Sequence, residues 1–328
     1  MEKIRVGVVR GGISPEYSVS LKTGATVLGI LRSELSDRYE AIDVLIDREG
    51  IWHVRGMPIE PETLGEYIDV VWNALHGEYG EDGMLDSILE SLRIPSTTRF
   101  QFLGDTISNK HKTKELIKNL GLGTPNHEIV RKDLAEINNE YLVSEAKKIF
   151  TKISPPWVVK PLVGGSSIDV RLARTFDELL LALYDGLALY DDLLVEEYVY
   201  GREIVAGMIP NFRNENHYQL LPLEIHKKES LLSHSTRHGG DVRFLDTHTL
   251  HPFEKEEIHG IVRSLAEILG HTHAFTVDMI VAPRKIVILE VDGVPALGEN
   301  TPLFSMLEKV GCTPKQFVEH ILAPHGTR

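Results

Sequence analysis

The chain has little cysteine and no long hydrophobic run. Its single cysteine, Cys312, excludes an internal disulfide, and no cysteine–histidine cluster has the spacing of a zinc site. No apolar run approaches the length that spans a bilayer, and the N-terminal residues lack the pattern of a cleaved signal peptide. We therefore expect a cytoplasmic protein without a membrane partner.

Basic residues are fewer than acidic ones. The 328 residues include 35 lysines and arginines against 48 aspartates and glutamates, which gives a formal net charge of −13. Without a block of basic residues, this balance argues against nucleic acid or an anionic membrane as the main partner. The length exceeds that of one ordinary hydrophobic core, so we expect two or three domains.

The most informative stretch consists of two short β-like runs, residues 276–282 and 285–292. Pro283 and Arg284 between them predict a tight turn and therefore a β-hairpin. Side chains along a strand alternate between the two faces of a sheet. The residues that this alternation places on one face of the second run are Ile286, Ile288, Glu290 and Asp292.

Three carboxylates converge on this predicted hairpin. If its connection takes three residues, Asp278 on the first run lies directly across from Glu290 on the second. Acids this close need a counter-charge, and a set of oxygen ligands suits magnesium shared with substrate phosphates better than zinc. Asp278, Glu290 and Asp292 are therefore the candidate metal ligands, and the structural alternative is the solvated end of a hairpin.

The hairpin resembles the metal-binding hairpin of ATP-grasp enzymes, and the surrounding chain resembles the D-alanine–D-alanine ligase family over essentially its whole length. Asp278, Glu290 and Asp292 match the family's aspartate and the glutamate and asparagine that follow it. The resemblance implies ATP and two magnesium ions as cofactors, with manganese as an alternative ion. It also implies small-molecule substrates such as D-alanine, and a homodimer formed through the N-terminal domain.

The fold that the resemblance implies is the α/β ATP-grasp fold. We expect an N-terminal open parallel-sheet domain over residues 1–102, a small central lid domain over residues 103–190 and a C-terminal antiparallel-sheet catalytic domain over residues 191–328. The N-terminal part supports this by itself, because β-like runs alternate there with helical patterns. The predicted strands are residues 6–9, 41–46 and 70–75, and the predicted helices start at Ser14 and near Met84.

Two N-terminal segments resemble the family's site for the first amino acid. The segment GGISPEYSVSL contains Glu16, at the position of the family's ammonium-binding glutamate, and Val19 beside it. The segment LHGEYGEDG contains His76, which follows a predicted strand at the end where ligands of such sheets bind. The ordinary alternatives are a helix-dipole role for Glu16 and a solvated loop position for His76.

Two lysines and a glycine-serine loop, residues 164–167, resemble the family's phosphate site. Lys110 lies in a lysine-rich helix start, which is otherwise typical of a solvated face. Lys160 ends an apolar strand, and the glycines after it let the backbone close over a polyphosphate while N–H groups and hydroxyls donate to it. The resemblance implies that Lys110, Lys160, Gly165 and Ser167 bind ATP. It implies that Ser166 has a catalytic role in which it orients a substrate rather than attacking it.

The strand predicted over residues 193–199 resembles the family's adenine-binding segment. Glu196 and Val199 match an acid and a backbone group that meet the adenine amino edge, and Glu203 matches the acid that binds the ribose hydroxyls. A helix precedes this strand, and a capping box from Thr175 to Glu178 indicates its start.

The segment from His226 to Asp246 is polar and contains glycine, which is typical of a mobile lid over the phosphates. Arg237 and His238 fall at the positions of the family's lid lysine and tyrosine. The resemblance therefore implies ATP binding by Arg237 and a catalytic contact by His238. In an alternative register, His226 resembles the lid histidine of the D-alanine–D-lactate ligases.

Three positions on the side of the second substrate differ from the family. Thr276 stands where the family has an oxyanion-binding arginine, and Ala296 replaces a glycine whose N–H serves the same oxyanion. Loss of one oxyanion donor typically costs about 10²–10³ in rate. Thr301 replaces the serine that holds the second substrate's carboxylate, which makes Thr301 a candidate substrate-binding residue.

The function that the resemblance implies is ATP-dependent formation of D-alanyl-D-alanine through an acyl phosphate, for peptidoglycan precursor synthesis. In this reaction ATP phosphorylates a carboxylate, and an amine then displaces the phosphate to give an amide. Two alternatives stay open. One is a related ligase with another amino or hydroxy acid as acceptor, such as the D-alanine–D-lactate type, and the other is a nucleotide-binding homologue without ligase activity.

Overall fold

The computed structural model describes residues 2–98, 103–132, 139–226, 242–269 and 273–325. Within these residues, three β-sheets follow one another along the chain and helices cover their faces. Over the same residues, no helix is long and apolar enough to cross a lipid bilayer.

The first sheet has five strands, and its centre is parallel. The strands are β1 (Ile4–Gly11), β2 (Tyr39–Ile46), β3 (Trp52–Val54), β4 (Met57–Ile59) and β5 (Val70–Asn73), in the spatial order β4-β3-β2-β1-β5. β1 pairs in parallel with both β2 and β5, which confirms the three predicted strands. The antiparallel hairpin of β3 and β4 was not predicted, because strands of three residues show little alternation.

Two helices, α1 (Tyr17–Ser33) and α2 (Met84–Ser91), belong to this sheet. α1 begins at Tyr17, so the predicted start at Ser14 is too early. Ser14 Oγ instead accepts a hydrogen bond from Glu16 N at 3.1 Å and donates one to His76 O at 2.7 Å. Ser14 thereby joins the start of α1 to the loop after β5, which brings Glu16 and His76 to one edge of the sheet.

The second sheet has four antiparallel strands. They are β6 (His127–Arg131), β7 (Trp157–Pro161), β8 (Arg171–Ala173) and β9 (Asp192–Glu197), in the spatial order β6-β9-β7-β8. The helices of this part are α3 (Gly104–Ser108), α4 (Lys110–Asn119), α5 (Asn139–Lys152) and α6 (Phe176–Leu189). α5 and α6 bury their apolar sides in a core that contains the fully buried Trp157.

The start of α6 is close to the prediction. Thr175 Oγ accepts a hydrogen bond from Glu178 N at 3.2 Å, as an N-cap does. The capping box is incomplete, because the Glu178 carboxylate accepts from Arg174 N at 2.6 Å rather than from the N–H of Thr175.

The third sheet is antiparallel and has six strands. They are β10 (Arg202–Phe212), β11 (Glu215–Gln219), β12 (Leu223–His226), β13 (Arg243–Asp246), β14 (Phe275–Ala282) and β15 (Lys285–Asp292). The spatial order is β13-β12-β10-β14-β15, and β11 pairs with the C-terminal half of β10. The helices are α7 (Pro252–Leu269), α8 (Pro302–Lys309) and α9 (Pro314–Leu322), and α7 packs its apolar side on one face of the sheet.

The predicted hairpin is formed by β14 and β15, and Asp278 lies directly opposite Glu290 as expected. The connection between the strands, however, takes two residues rather than three. A one-residue bulge restores the register: Met279 pairs with Ile288, whereas Asp278 pairs with Glu290, so Leu289 is the extra residue.

The bulge also shows that the prediction of one shared face was wrong. Ile286 and Ile288 lie in the core beneath α7. Glu290 and Asp292 lie on the opposite face, because the extra residue shifts the alternation of β15 by one position. The apolar face of the hairpin continues past the bulge through Val277 and Val291, and the carboxylates on the other face line the cavities described next.

Candidate active site

Two adjoining cavities lie where the three sheets meet. The larger, of about 570 Å³, lies mainly between the second and third sheets, and the smaller, of about 70 Å³, reaches the first sheet. The predicted site residues that line only the larger cavity are Lys160, Ser167, Glu196, Val199, Glu203 and Asp278. Those that line only the smaller one are Val19, His76, Ser166, Asp292 and Thr301, and those that line both are Glu16, Lys110, Gly165 and Glu290. Arg237 and His238 lie outside the described residues.

Glu16 and Ser166 connect the first sheet to the glycine-serine loop. Ser166 Oγ donates a hydrogen bond to Glu16 Oε1, and Glu16 is only 5% exposed. Two glycines make room for this carboxylate. A Cβ atom at Gly77 would lie 2.7 Å from Glu16 Oε2, and a Cβ atom at Gly165 would lie 3.2 Å from both carboxylate oxygens.

The backbone of the glycine-serine loop is strained. Ser166 and Ser167 have φ angles of 52° and 56°, in the left-handed region that residues other than glycine rarely adopt. Such residues cost about 1–3 kcal/mol each and persist only where the surrounding contacts hold them. One of those contacts is the hydrogen bond from Ser166 to Glu16.

His76 is buried at the edge of the first sheet, with 3% exposure, which excludes a solvated position. Its Nε2 lies 3.0 Å from Thr23 Oγ1, and its Nδ1 lies 4.0 Å from Glu81 Oε1. The ring is therefore fixed between α1 and the loop after β5.

Glu81 is a site residue that the sequence analysis did not single out. It lines the smaller cavity and accepts a hydrogen bond from Gly77 N at 2.9 Å. Burial raises the pKa of Glu81 well above its ordinary value, and the nearby carboxylates of Asp292 and Glu16 raise it further. The available signal was its position in the LHGEYGEDG segment, five residues after His76.

Lys110 begins α4 and lines both cavities. Its Nζ donates a hydrogen bond to Gly164 O in the glycine-serine loop. Burial lowers the pKa of Lys110, while the Glu290 carboxylate acts in the opposite direction. The ammonium group thus lies between the loop and the carboxylate hairpin.

Glu196 is held by two lysines, of which the sequence analysis identified only one. Its Oε1 lies 2.8 Å from Lys114 Nζ and 2.9 Å from Lys160 Nζ. Burial alone would raise the pKa of Glu196, but the two lysines together lower it to about 2. Burial lowers the pKa of Lys114 to about 8, since Lys114 shares a single carboxylate with a second lysine.

Lys114 was missed because a lysine-rich helix is usually solvated, yet Lys114 is completely buried. The signal was its spacing. Lys114 follows Lys110 by four residues, which places both side chains on one face of α4. That face packs towards the strand that contains Glu196.

The inner part of the larger cavity combines apolar walls with acids at the edge. The predicted adenine and ribose residues Val199 and Glu203 line it, together with Val158, Met279 and Ile280. At the end of β12, His226 lines the same cavity and places its Nε2 3.0 Å from Glu224 Oε1.

The hairpin carboxylates line the cavities from the third sheet. Asp278 and Glu290 are direct cross-strand partners, and Asp292 pairs with Thr276 two residues further along the hairpin. Asp292 Oδ1 accepts a hydrogen bond from Val294 N at 3.0 Å. This all-oxygen donor set, with enough negative charge around it to raise the pKa of Glu81, fits a hard divalent cation such as magnesium.

The residues that depart from the family line the smaller cavity. Thr276 is 5% exposed, and Ala296 follows Pro295 on the same wall. The Thr301 hydroxyl has structural partners: it donates to Gly298 O at 2.8 Å and accepts from Phe304 N at 3.4 Å as the N-cap of α8.

A glycine-serine loop, buried lysines and a carboxylate hairpin that face one another between two antiparallel sheets define the ATP-grasp class of proteins. Residues 116–323, more than half of the chain, match the family model described as D-ala D-ala ligase C-terminus. The chain therefore belongs to the D-alanine–D-alanine ligase family.

Relatives match over nearly the whole chain. The chain is 29% identical over 324 residues to a D-alanine–D-alanine ligase of Aquifex aeolicus, covering 97% of this chain and 100% of that protein. It is 28% identical over 299 residues to the one of Desulforamulus reducens, covering 90% of this chain and 89% of that protein. The fold is similar to that of the D-alanyl-alanine synthetase A from Vibrio cholerae, with a TM-score of 0.83, 20% identity and complete coverage of both chains.

Proposed function

We propose that this protein is an ATP-dependent carboxylate–amine ligase that joins two D-alanine molecules into D-alanyl-D-alanine, with ADP and phosphate as the other products. The similarity to proteins named D-alanine–D-alanine ligase over almost the whole chain supports this function. The observation that argues most strongly for it is the contact of Ser166 with Glu16, because it brings the first sheet and the glycine-serine loop together beside the hairpin carboxylates.

In the proposed reaction, the first D-alanine lies in the smaller cavity. Glu16 binds its ammonium group, Val19 and His76 pack beside it, and Ser166 orients it. Its carboxylate oxygen attacks the γ-phosphorus of ATP, and ADP leaves. The amine of the second D-alanine then attacks the acyl carbon, loses a proton and displaces phosphate. Holding both substrates in this order and excluding water accounts for much of the acceleration expected from such a site.

ATP is proposed to lie in the larger cavity. Lys110, Lys160 and the N–H groups of Gly165 and Ser167 would face its phosphates, and Val199 and Glu203 would contact adenine and ribose. Asp278, Glu290 and Asp292 would hold two magnesium ions, which neutralise phosphate charge when bound. Glu196 would contact the amino edge of adenine. It would also hold Lys160 in place at the phosphates, because its carboxylate forms an ion pair with the Lys160 ammonium group.

The second D-alanine is proposed to enter on the side of Thr276, Ala296 and Thr301. Ala296 keeps its backbone N–H, which can donate to the oxyanion of the tetrahedral intermediate. The Thr301 hydroxyl already accepts from one backbone group and donates to another, so its remaining lone pair cannot bind a carboxylate. The N–H of Leu303 in the first turn of α8 is the better candidate for that carboxylate, because Pro302 has no N–H and Phe304 N already donates to Thr301 Oγ1.

Further properties are proposed from the family. These are a role in peptidoglycan precursor synthesis, a homodimer and a cytoplasmic location. The division into three domains is likewise proposed, and β9 supports placing the boundary of the central domain after Glu197, because β9 pairs with β6 and β7.

An acceptor panel tests the proposed function. Purified protein with ATP and magnesium is given D-alanine alone, L-alanine alone, or D-alanine with D-serine or D-lactate, and products are identified by mass spectrometry. We expect the D-alanyl-D-alanine dipeptide with D-alanine alone and no product with L-alanine. Glu290→Ala is the control for contaminating activity. A mixed product in place of the dipeptide would move the assignment to another acceptor, and ATP binding without any product would refute a ligase.

A further inference from the structure

Three metal-ligating side chains meet outside both cavities, where α4 packs beside β6. His111 and Glu115 lie on α4, and His127 is the first residue of β6. His111 Nδ1 lies 3.0 Å from His127 Nε2, and Glu115 Oε1 lies 3.9 Å from the same nitrogen. One ligand atom of each residue lies within 4.8 Å of the other two.

The sequence and the packing both favour this arrangement. Residues four apart on a helix share one face, so His111 and Glu115 point in the same direction. Two ligands bound to one tetrahedral ion at ordinary zinc distances are roughly 3.3 Å apart. The two ring nitrogens are already within a few tenths of an ångström of that separation.

A neighbouring carbonyl sets the orientation of the buried histidine. His127 Nδ1 lies 3.2 Å from Pro125 O, so this nitrogen carries the hydrogen and donates it. The lone pair of Nε2 then faces His111 and Glu115. Such an outer contact is typical of metal-binding histidines, whose second ring nitrogen usually donates to a carbonyl or carboxylate.

We propose that His111, Glu115 and His127 form a binding site for a divalent transition-metal ion of the zinc class, with a solvent molecule as the fourth ligand. Two imidazole nitrogens and one carboxylate oxygen are a donor set that zinc uses where one position stays open. The Glu115 side chain is 47% exposed, which leaves a path for the ion, whereas that of His127 is 2% exposed. The hairpin carboxylates, in contrast, offer only oxygen and suit magnesium.

The position of this site gives it a structural consequence. His127 is the cross-strand partner of Glu196, and α4 also contains Lys110 and Lys114. An ion bound there would link α4 to β6 next to the buried ion pairs of Glu196 with Lys114 and Lys160. The ion is therefore expected to stabilise the central domain and to take no part in the ligation chemistry.

Lys118 opposes the ion. Its Nζ lies 2.8 Å from Glu115 Oε1, and Lys118 follows Glu115 by about one helical turn. Because this ion pair is exposed, its contribution to stability is small, but it competes with the metal for the same carboxylate. Lys118→Met should therefore strengthen metal binding.

The test is a Co²⁺ titration of the full-length protein in excess magnesium, so that magnesium rather than Co²⁺ takes the site proposed for it in the hairpin. Four-coordinate Co²⁺ with nitrogen ligands absorbs visible light strongly, and Zn²⁺ should abolish the absorption by displacement. We expect one Co²⁺ per chain. His111→Gln and His127→Gln should weaken binding by more than about 100-fold, and Glu115→Gln by about 10–100-fold.

Matched control variants show whether the Co²⁺ absorption comes from this cluster or from another part of the protein. His248→Gln, at a side chain that is 86% exposed, and Glu290→Ala in the hairpin should leave the absorption unchanged. If His127→Gln does not fold, His111→Gln and Glu115→Gln decide the question, since both side chains are less buried. The inference is overturned if no Co²⁺ absorption develops, or if His111→Gln and Glu115→Gln bind Co²⁺ as tightly as the unsubstituted protein. The ligase assay is not needed for this result, so it stands apart from the proposed function.

Discussion

At the scale of single residues, the partners of a buried carboxylate decide its charge. Glu196 is buried and Glu81 is half-buried next to the cavities, yet their pKa values shift in opposite directions. Two lysines lower the pKa of Glu196 to about 2, whereas burial and the carboxylates of Glu16 and Asp292 raise that of Glu81. Glu196 is therefore a fixed negative charge in the metal-free protein, and Glu81 is a group that takes up a proton.

Glu81 should make the metal-free protein less stable as the pH rises. Its folded pKa is raised, so the folded state holds the proton more tightly than the unfolded chain, in which the pKa is about 4.3. Stability is then lost as the pH rises from that value through the folded pKa, by at most about 1.4 kcal/mol per pH unit. Glu81→Gln should remove this loss. Urea unfolding without metal, between about pH 5 and pH 8, measures it.

Glu78→Gln is the matched control for this experiment, because Glu78 lies in the same loop and is exposed. It should leave the pH dependence of stability unchanged. Magnesium should reduce the difference between the original protein and Glu81→Gln, since it neutralises the surrounding carboxylates. If, without metal, the stability of the unsubstituted protein and that of Glu81→Gln depend on pH in the same way, Glu81 is not the group whose pKa is raised.

At the scale of elements, the site depends on a loop and a bulge that hold side chains where regular structure would not. The glycine-serine loop brings Ser166 to Glu16 in a left-handed conformation. The bulge at Leu289 turns Glu290 and Asp292 away from the core. Both features place polar groups at a cavity at the end of an otherwise apolar strand.

The close approach of the loop to Glu16 should make Gly165 intolerant of a side chain. A Cβ atom there would lie 3.2 Å from both oxygens of the Glu16 carboxylate and displace it. We expect Gly165→Ala to fold and to lower kcat/KM for D-alanine on the order of 10²-fold. Gly29→Ala on α1, where a Cβ meets nothing within 4 Å, is the control and should keep full activity. Unchanged kinetics of Gly165→Ala would argue against Glu16 as the ammonium ligand.

The contact of α4 with β9 should depend on Glu196. Glu196→Gln leaves Lys114 and Lys160 buried without their carboxylate, which should lower the free energy of unfolding by about 3–5 kcal/mol. Lys114→Met should cost less, because Lys160 still neutralises Glu196. Glu197→Gln, on the opposite face of the same strand, should have little effect. Chemical denaturation measures the free energy of unfolding of all three variants. A smaller loss in Glu196→Gln than in Lys114→Met or Glu197→Gln would refute the proposed network of Glu196 with the two lysines.

At the scale of the whole molecule, much of the architecture could be predicted because it follows from the order of apolar runs and from resemblance. The parallel strands β1, β2 and β5 were predicted from short hydrophobic runs. The opposition of Asp278 and Glu290 was predicted from an assumed three-residue connection, and it is present because a bulge compensates for the shorter one. The bulge could not be predicted, because Leu289 only continues the apolar run from Ile286 to Ile288 and gives no signal of its own.

Contacts between distant segments account for the rest of what was missed. The burial of Lys114 depends on Glu196, which is far along the chain and lies on another element. The cluster of His111, Glu115 and His127 likewise exists only because α4 packs beside β6. The roles proposed for the site residues, including Arg237 and His238, remain predictions for experiment.

The most direct test of the ligase account follows the oxygen atoms of the first substrate. The protein is given ATP, magnesium and D-alanine whose carboxylate is labelled with heavy oxygen, and both products are analysed by mass spectrometry. An acyl phosphate transfers one labelled oxygen from the carboxylate to the released phosphate, so we predict singly labelled phosphate together with D-alanyl-D-alanine. Unlabelled phosphate, or phosphate released without dipeptide, would contradict the account.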